Sequence, residues 1–374
     1  MLAKPVCSKS NEIQLAPALV LNGQWIRESD GSSMLNPQTS GLAFHPEGYL
    51  SISDASADES QIQRLHLIDR QSSFILEKFG PIKLAEALSE SCFAPYLQDR
   101  PDFEALVALP GKPNTWISVT EDATRSQPLS PACIEQYRET GSTDYPSLLV
   151  EITMRNESLL ISGVRPVQFA KEDEVGNFPN DGIEGLAVDK QGKLYLGLEK
   201  DNHQHARVFF VNLNEELFNT QSFILAKDAN LNLPQIEEGN HPINGMDIVY
   251  PDNNQNGYLI AAARNDNELW IMDLDGVKPT RIVPLTFFAP SFTFGDLPET
   301  VYSLQDCNEI KNGWHKMHNA SLEGVLVDED TLVLINDPWK ANYLKNVKCE
   351  ADKLPYERMS PLIFKTPLQA DWFK

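Results

Sequence analysis

One short phrase recurs along this chain in five copies, and it limits the fold more than any other feature. The copies are SGLAFHPEGYLSISD from Ser40, FEALVALPGKPNTWISVTED from Phe103, IEGLAVDKQGKLYLGLEKD from Ile183, INGMDIVYPDNNQNGYLIAAARND from Ile243 and LEGVLVDEDTLVLIND from Leu322. Each begins with a polar or acidic residue and a small one. An apolar run, a turn rich in Gly, Asn, Asp or Pro, and a second apolar run ending in a polar or charged group then follow. That is the pattern of a β-hairpin. Strand-only repeats of this length predict an all-β fold, a single β-propeller with five recognisable blade motifs.

The repeats run from about Ser40 to about Asp337. The expected organisation is therefore one propeller domain over residues 1–374, with residues 1–37 as a lead-in. Within that lead-in, Ile13 to Leu15 and Leu19 to Leu21 read as strands that close the last blade against the C-terminal PLIFKTPL. Such closure removes an open sheet edge. Spacing between hairpins is uneven. The longer gaps hold RSQPLSPACIEQYRETGSTDYP and PLTFFAPSFTFGDLPETVYSLQDCNEIKNGWHKMHNA, either of which has the length for a degenerate sixth blade. Third strands are legible as QRLHLID, SLLVEITM, ARVFFVNL and ELWIMDL. Short helical insertions are expected at IKLAEALSESCFAPYL, from Ile82, and at PACIEQYRE, from Pro131.

The formal net charge is -22, which argues against nucleic acid and anionic membrane surfaces as partners and permits cation binding. No apolar run reaches the ~18–20 residues of a membrane span. Five cysteines are present, none in a CxxC pair. Cys92 with Cys133 and Cys307 with Cys349 flank the second and fifth hairpins and are expected as disulfides, leaving Cys7 odd. Disulfides point to an oxidising compartment, so a secreted or periplasmic location is expected.

In a propeller, equivalent positions of every blade meet around one channel. Position one of the phrase is Ser40, Glu104, Glu184, Asn244 and Glu323. The phrase ends at Asp54, at Glu121 with Asp122, at Glu199, at Arg264, and at Asn336 with Asp337. A ring of carboxylates there repels itself unless a cation or an arginine neutralises it. Hard oxygen donors suit Ca²⁺ or Mg²⁺. The expected metal ligands are Glu104, Glu184, Glu199, Glu323 and Asp337. The competing reading has these acids capping strand ends or pairing with Arg264 and Arg125. The small residue at position two, Gly41, Ala105, Gly185, Gly245 or Gly324, suits close approach of inner strands.

Glu184 and His318 are the expected catalytic residues, a carboxylate and an imidazole near the channel mouth able to take a proton. His203, His205, His241 and His315 are further histidines near the repeats. YPDNNQNG opens like a calcium loop, but its twelfth position is Ala263, which excludes an EF-hand. Trp314, Trp339, Tyr343 and Phe288 suit either a ligand platform or packing between blades. No serine-hydrolase elbow, zinc-protease or nucleotide-binding motif is present.

The Glu-Gly-Leu and Glu-Gly-Val starts, each with an acidic turn and a strand ending in Glu or Asp, resemble the bacterial phytase-like propellers. IEGLAVDKQGKLYLGLE and LEGVLVDEDTLVLIND carry the likeness. The family described as "esterase-like activity of phytase" is the one most resembled, and the phrase is also similar to that of gluconolactonase-type propellers. The resemblance implies that Glu184 and Glu323 bind a divalent metal. Ser40 and Asn244 depart from the acidic pattern, and no basic phosphate-holding cluster is evident. Two functions follow. One is a metal-dependent hydrolase of the ester, lactone or phosphoester class at the channel mouth, acting on a small molecule. The other is a non-catalytic propeller binding a carbohydrate or protein partner, with structural Ca²⁺ only.

Overall fold

The computed structural model describes residues 12–125, 128–137, 141, 143–179, 182–234, 236, 241–251, 257–291, 311–338, 340–348 and 350–374. The protein is mostly β, with helix confined to pieces of at most seven residues among those described. Two strands open the chain, β1 (Ile13–Leu15) and β2 (Leu19–Trp25). Four-stranded antiparallel units follow. The first is β3 (Thr39–His45), β4 (Gly48–Ser53), β5 (Leu65–Ile68) and β6 (Ile75–Phe79). After a short β7 (Lys83–Leu84), the second is β8 (Phe103–Ala108), β9 (Thr115–Thr120), β10 (Ser147–Arg155) and β11 (Ser158–Phe169). The third is β12 (Ile183–Val188), β13 (Lys193–Leu198), β14 (Arg207–Asn212) and β15 (Ile224–Asp228). The fourth is β16 (Ile243–Val249), β17 (Tyr258–Ala263), β18 (Glu268–Asp273) and β19 (Thr280–Pro290). A short β20 (Trp314–Lys316) pairs with β19.

The fifth unit is built from both ends of the chain. β21 (Leu322–Asp328), β22 (Thr331–Asn336) and β23 (Leu362–Pro367) come late, and β2 adds the fourth strand, with Gly23 opposite Phe364. β2 thus pairs with the PLIFKTPL strand as expected, whereas β1 pairs in parallel with β19 of the fourth unit instead. Outer strands also join neighbours in parallel, β11 with β15 and β19 with β2, which yields barrel-like composite sheets. Among the described residues no sixth four-stranded unit appears.

First strands touch in cyclic order: β3 lies against β8, β8 against β12, β12 against β16, β16 against β21, and β21 against β3. The core follows the same cycle. Each of five apolar clusters sits between two neighbouring units rather than inside one. Leu50 and Leu65 pack with Phe103 and Trp116 between the first two units, and Tyr49 and Ile68 pack with Val333 and Ile335 between the first and fifth. Both faces of each sheet are thus covered, which explains why the second strands are near-continuous apolar runs.

Close approach of the inner strands is real where position two is small. A Cβ added at Gly41, whose φ is +65°, would lie 2.3 Å from the Leu106 backbone nitrogen, and one at Gly245 3.0 Å from the Glu323 carbonyl oxygen.

Two expectations are corrected or placed. The stretch from Ile82 is not one helix. It breaks into β7, a 3-10 turn at Glu86–Leu88, and a helix α1 (Ala94–Gln98) with a proline in its first turn. A helix at Pro131 does form, α2 (Pro131–Tyr137). Cys92 and Cys133 are disulfide-bonded, which ties α2 to the segment before α1. The expected Cys307–Cys349 pair, Cys7, Trp339 and the Asp252 to Asn256 loop lie outside the described residues.

Candidate functional site at one end of the ring

Each unit delivers residues to one end of the ring by the same two local devices. The first is a β-bulge at the start of the inner strand. Phe103 pairs with Thr120 and Ala105 with Val119, so Glu104 is the extra residue. The same skip leaves Glu184, Asn244 and Glu323 unopposed in their units. A bulge re-aims a side chain that regular pairing would place on a sheet face. In the first unit the irregularity falls between Ser40 and Ala43.

The second device is a repeated hydrogen bond. The residue just past each second strand donates its backbone N–H to the carbonyl two residues before position one. The pairs are Asp54 to Gln38, Glu121 to Asp102, Glu199 to Gly182, Arg264 to Pro242 and Asp337 to Ser321, at 2.8–3.3 Å. This bond fixes the last side chain of every hairpin beside the first.

Together they line a cavity of about 420 Å³. Its walls carry Asp54, Glu104, Glu121, Glu184, Glu199, Glu323 and Asp337 from the hairpins, and Asp102 from the loop before β8. Against these eight carboxyl groups stand two guanidinium groups, Arg125 and Arg264. With every group ionised, six negative charges would be in excess.

Both arginines are engaged. Arg125 pairs with Asp102. Arg264 pairs with Glu323 and lies 3.7 Å from Asp337. The surrounding carboxylates raise the Arg264 pKa despite its burial. Asp102 is further held by the Ala55 N–H at 2.9 Å. Asn244 donates to Glu184 at 3.2 Å.

The second and third units supply the densest acid. Oxygens of Asp102, Glu104 and Glu121 lie within 4.8 Å of one another, and so do those of Glu121, Glu184 and Glu199. Glu121 belongs to both groups. Its carboxyl stands beside that of Glu184, and the crowding raises the Glu121 pKa. Burial, then the neighbouring carboxylates, pushes Glu104 and Glu121 well up. Glu184 is pushed up to about 7 by burial and Glu199. Burial takes Asp54 to about 8 and Asp337 to about 6.

Three carboxylate oxygens in this wall are buried and accept no hydrogen bond: Glu121 Oε1, Glu323 Oε2 and Asp337 Oδ1. Their residues are 3%, 4% and 7% exposed. Glu121 Oε1, an orphaned buried acceptor inside both close carboxylate groups, belongs to an all-oxygen donor set of the kind a hard cation takes. The residues present therefore fit a Ca²⁺- or Mg²⁺-type ion.

All five residues expected to hold metal, Glu104, Glu184, Glu199, Glu323 and Asp337, line this one cavity. His318 is not among its lining residues. Its backbone N–H bonds Asn346, and the residue belongs to the loop leading into β21. His315 is buried against Tyr356 and Asp352, away from the cavity wall. His203 lies by Glu174 and His241 pairs with Asp266. Asn336 is structural, donating to Ala320 and accepting from Leu362, and Asp122 caps the turn at Thr124. Tyr343 is buried in packing and donates to the Ser360 carbonyl. Asp102 was not legible as a site residue, because it precedes the repeated phrase and reaches the cavity from a loop.

No family model matches the chain, and no curated protein matches it. Among solved structures it is similar to an exo-β-1,3-galactanase from Clostridium thermocellum, at 12% identity and TM-score 0.45, over 93% of this chain and 62% of that one. It is also similar to the α-L-arabinanase of Penicillium chrysogenum, at 9% identity and TM-score 0.40, over 94% and 99%. A third is a luciferin-regenerating enzyme, at 8% identity and TM-score 0.36, over 90% and 93%. Likeness at this level carries no argument about the site, which rests on the geometry above.

Proposed function

We propose that the five units are blades of one β-propeller, and that its acidic mouth is the active site of a hydrolase of the ester, lactone or phosphoester class using a hard divalent cation, with Ca²⁺ the first candidate. The supporting observation is the pair of carboxylate groups sharing Glu121, whose buried Oε1 no donor satisfies. Glu104, Glu121, Glu184 and Glu199 would hold the cation. A bound cation would polarise the scissile group and lower the pKa of a bound water. Burial and the neighbouring carboxylates shift Glu121 and Glu184 upward, and a bound cation would draw both toward the ionised form. His318, outside the cavity wall, is given no role. The disulfide supports placing the protein in a secreted or periplasmic compartment. No helix among the described residues is long and apolar enough to cross a membrane.

The test is elemental analysis of the purified protein, then an ester, lactone and phosphoester panel with and without chelator. Activity that chelator abolishes and Ca²⁺ restores is the expected result. A bound ion with no turnover of any class would favour the alternative, a propeller that binds a carbohydrate or protein partner around a structural Ca²⁺. Absence of both ion and turnover would remove the reading.

A further inference from the structure

The acidic mouth is not uniform. In the second and third blades both mouth residues are acids: Glu104 with Glu121, and Glu184 with Glu199. The fourth blade breaks the series with Asn244 and Arg264, and the fifth returns to acids with Glu323 and Asp337. Arg264 sits where its neighbours carry a carboxylate, fixed by the same backbone hydrogen bond, here to Pro242. It reaches across the blade boundary to Glu323 and Asp337.

We propose that Arg264 is a tethered counter-cation filling a second cation position of the mouth, so that Glu323 and Asp337 are kept from binding metal and the mobile cation is confined to the Glu104, Glu121, Glu184 and Glu199 sector. This deepens the metal reading and rests on it for the function of the occupied sector.

Three observations carry the inference. Glu323 Oε1 and Asp337 Oδ2 face the guanidinium, while the second oxygen of each, Oε2 and Oδ1, is buried without a partner. The half-satisfied state of both acids means that the site has the donor atoms of a cation position and a fixed positive charge inside it. Arg264 itself lines the cavity with its side chain mostly buried, so its guanidinium occupies the space between these two acids. A guanidinium is always charged and weakly hydrated, which makes it suited to a permanent ion pair where a lysine would titrate or leave. Asn244 completes the sector. Its amide donates to Glu184, at the border of the two halves, and adds no charge of its own.

The experiment counts Ca²⁺ per chain by equilibrium dialysis and elemental analysis, comparing variants with the wild-type protein. Arg264→Gln is expected to bind one more Ca²⁺ than wild type, and the Arg264→Gln, Glu323→Gln, Asp337→Asn triple variant is expected to lose that extra ion. The readout is the difference from wild type, so it stands apart from the test of the metal reading, which is the wild-type count itself. An unchanged count in a folded Arg264→Gln protein overturns the proposal. Where Arg264→Gln folds only with Ca²⁺ present, the count is taken after folding in Ca²⁺ and dialysis to a low free concentration. The Glu323→Gln, Asp337→Asn double variant retains Arg264 and is expected to bind as many ions as wild type. A count one lower would make these acids ligands of the native ion and overturn the proposal by a second route.

Discussion

The two ends of the ring are made by the same five inner strands, yet their chemistry is opposite. At the mouth, position one and the residue past each second strand contribute seven carboxyl groups to one cavity, and Asp102 adds an eighth from a loop. At the other end a cavity of about 490 Å³ is lined mainly by apolar residues, Leu42, Leu106, Leu186, Met246 and Leu326 among them, with half-buried Asp247 and with Arg70, Asp328 and Glu329. The difference arises within a few residues of each strand. A bulge turns position one toward the mouth, and positions three to five then resume strand alternation and face the floor. Charge concentrates where the backbone is irregular, and apolar packing begins where pairing is regular. The floor should therefore govern stability whatever the ionic conditions, whereas the mouth should govern it only through protons and cations.

The largest effect expected from this contrast is at the floor. Leu106→Ala removes a side chain that is 2% exposed and packed between the first two units. A loss of about 2–5 kcal/mol is expected for such a cavity. Denaturant melts should give the same loss in Ca²⁺ and in chelator. A loss that depended on Ca²⁺ would show that the two ends are coupled.

Next comes cation removal. At a free Ca²⁺ concentration about 100 times its Kd, binding should stabilise the wild-type protein by about 2.7 kcal/mol, and chelator should remove that gain. Glu184→Gln should abolish the response and leave the chelated protein folded. Persistence of the full response in Glu184→Gln would move the ion out of the Glu121, Glu184, Glu199 group.

The pattern of what the sequence revealed follows the same division. Hairpins, and the acids at most of their starts and ends, were legible because the hairpin phrase is a local pattern repeated five times, and the pairing of β2 with β23 because both read as short strands at the two ends of the repeats. The bulges were not, since Glu104 and Glu184 look like ordinary strand residues until pairing registers are known. Asp102 reaches the mouth from a loop outside the phrase. Arg125 had been weighed only as an ion-pair partner, a role it fills with Asp102. His318 does not line the cavity. Nearness to Glu323 in sequence says nothing about direction, and the loop before β21 turns its backbone toward Asn346. The stretch from Ile82 is helical only in part, because Leu84 pairs in β7 with Ile161, where a sheet edge overrides helical spacing.

A smaller effect should appear on titration in chelator. Asp337, Glu184 and Asp54 have folded pKa values raised to about 6, 7 and 8. Carboxyls of the unfolded chain titrate near ~4, so the folded state binds these protons more tightly. Their contribution is full below about pH 4 and is lost as pH rises through the folded values. Stability of the chelated protein should fall as pH rises from about 4 to about 8. Saturating Ca²⁺ should flatten the slope, because the ion favours the ionised acids. A rising slope in chelator would contradict the crowded, proton-holding mouth.

The smallest effect separates the floor's acid from those of the mouth. Asp247 accepts N–H bonds from Val327 at 2.6 Å and from Ile248 at 2.7 Å, one on each carboxylate oxygen. Burial pushes its pKa up to about 6, with the two N–H bonds working against that shift. Asp247→Asn keeps the shape but replaces one acceptor with an amide that cannot receive an N–H. A cost of about 1 kcal/mol is expected, the worth of one hydrogen bond. Asp247 also belongs to the class of groups whose stabilisation is lost as pH rises through the folded pKa. In Ca²⁺-saturated protein, where the mouth acids are held ionised, the pH dependence remaining near 6 should come from Asp247 and should vanish in Asp247→Asn. The Ca²⁺ titration itself should not move, because the ion sits at the opposite end of the inner strands. A shifted Ca²⁺ midpoint would mean that β16 transmits charge along its length, and the independence of the two ends would have to be given up.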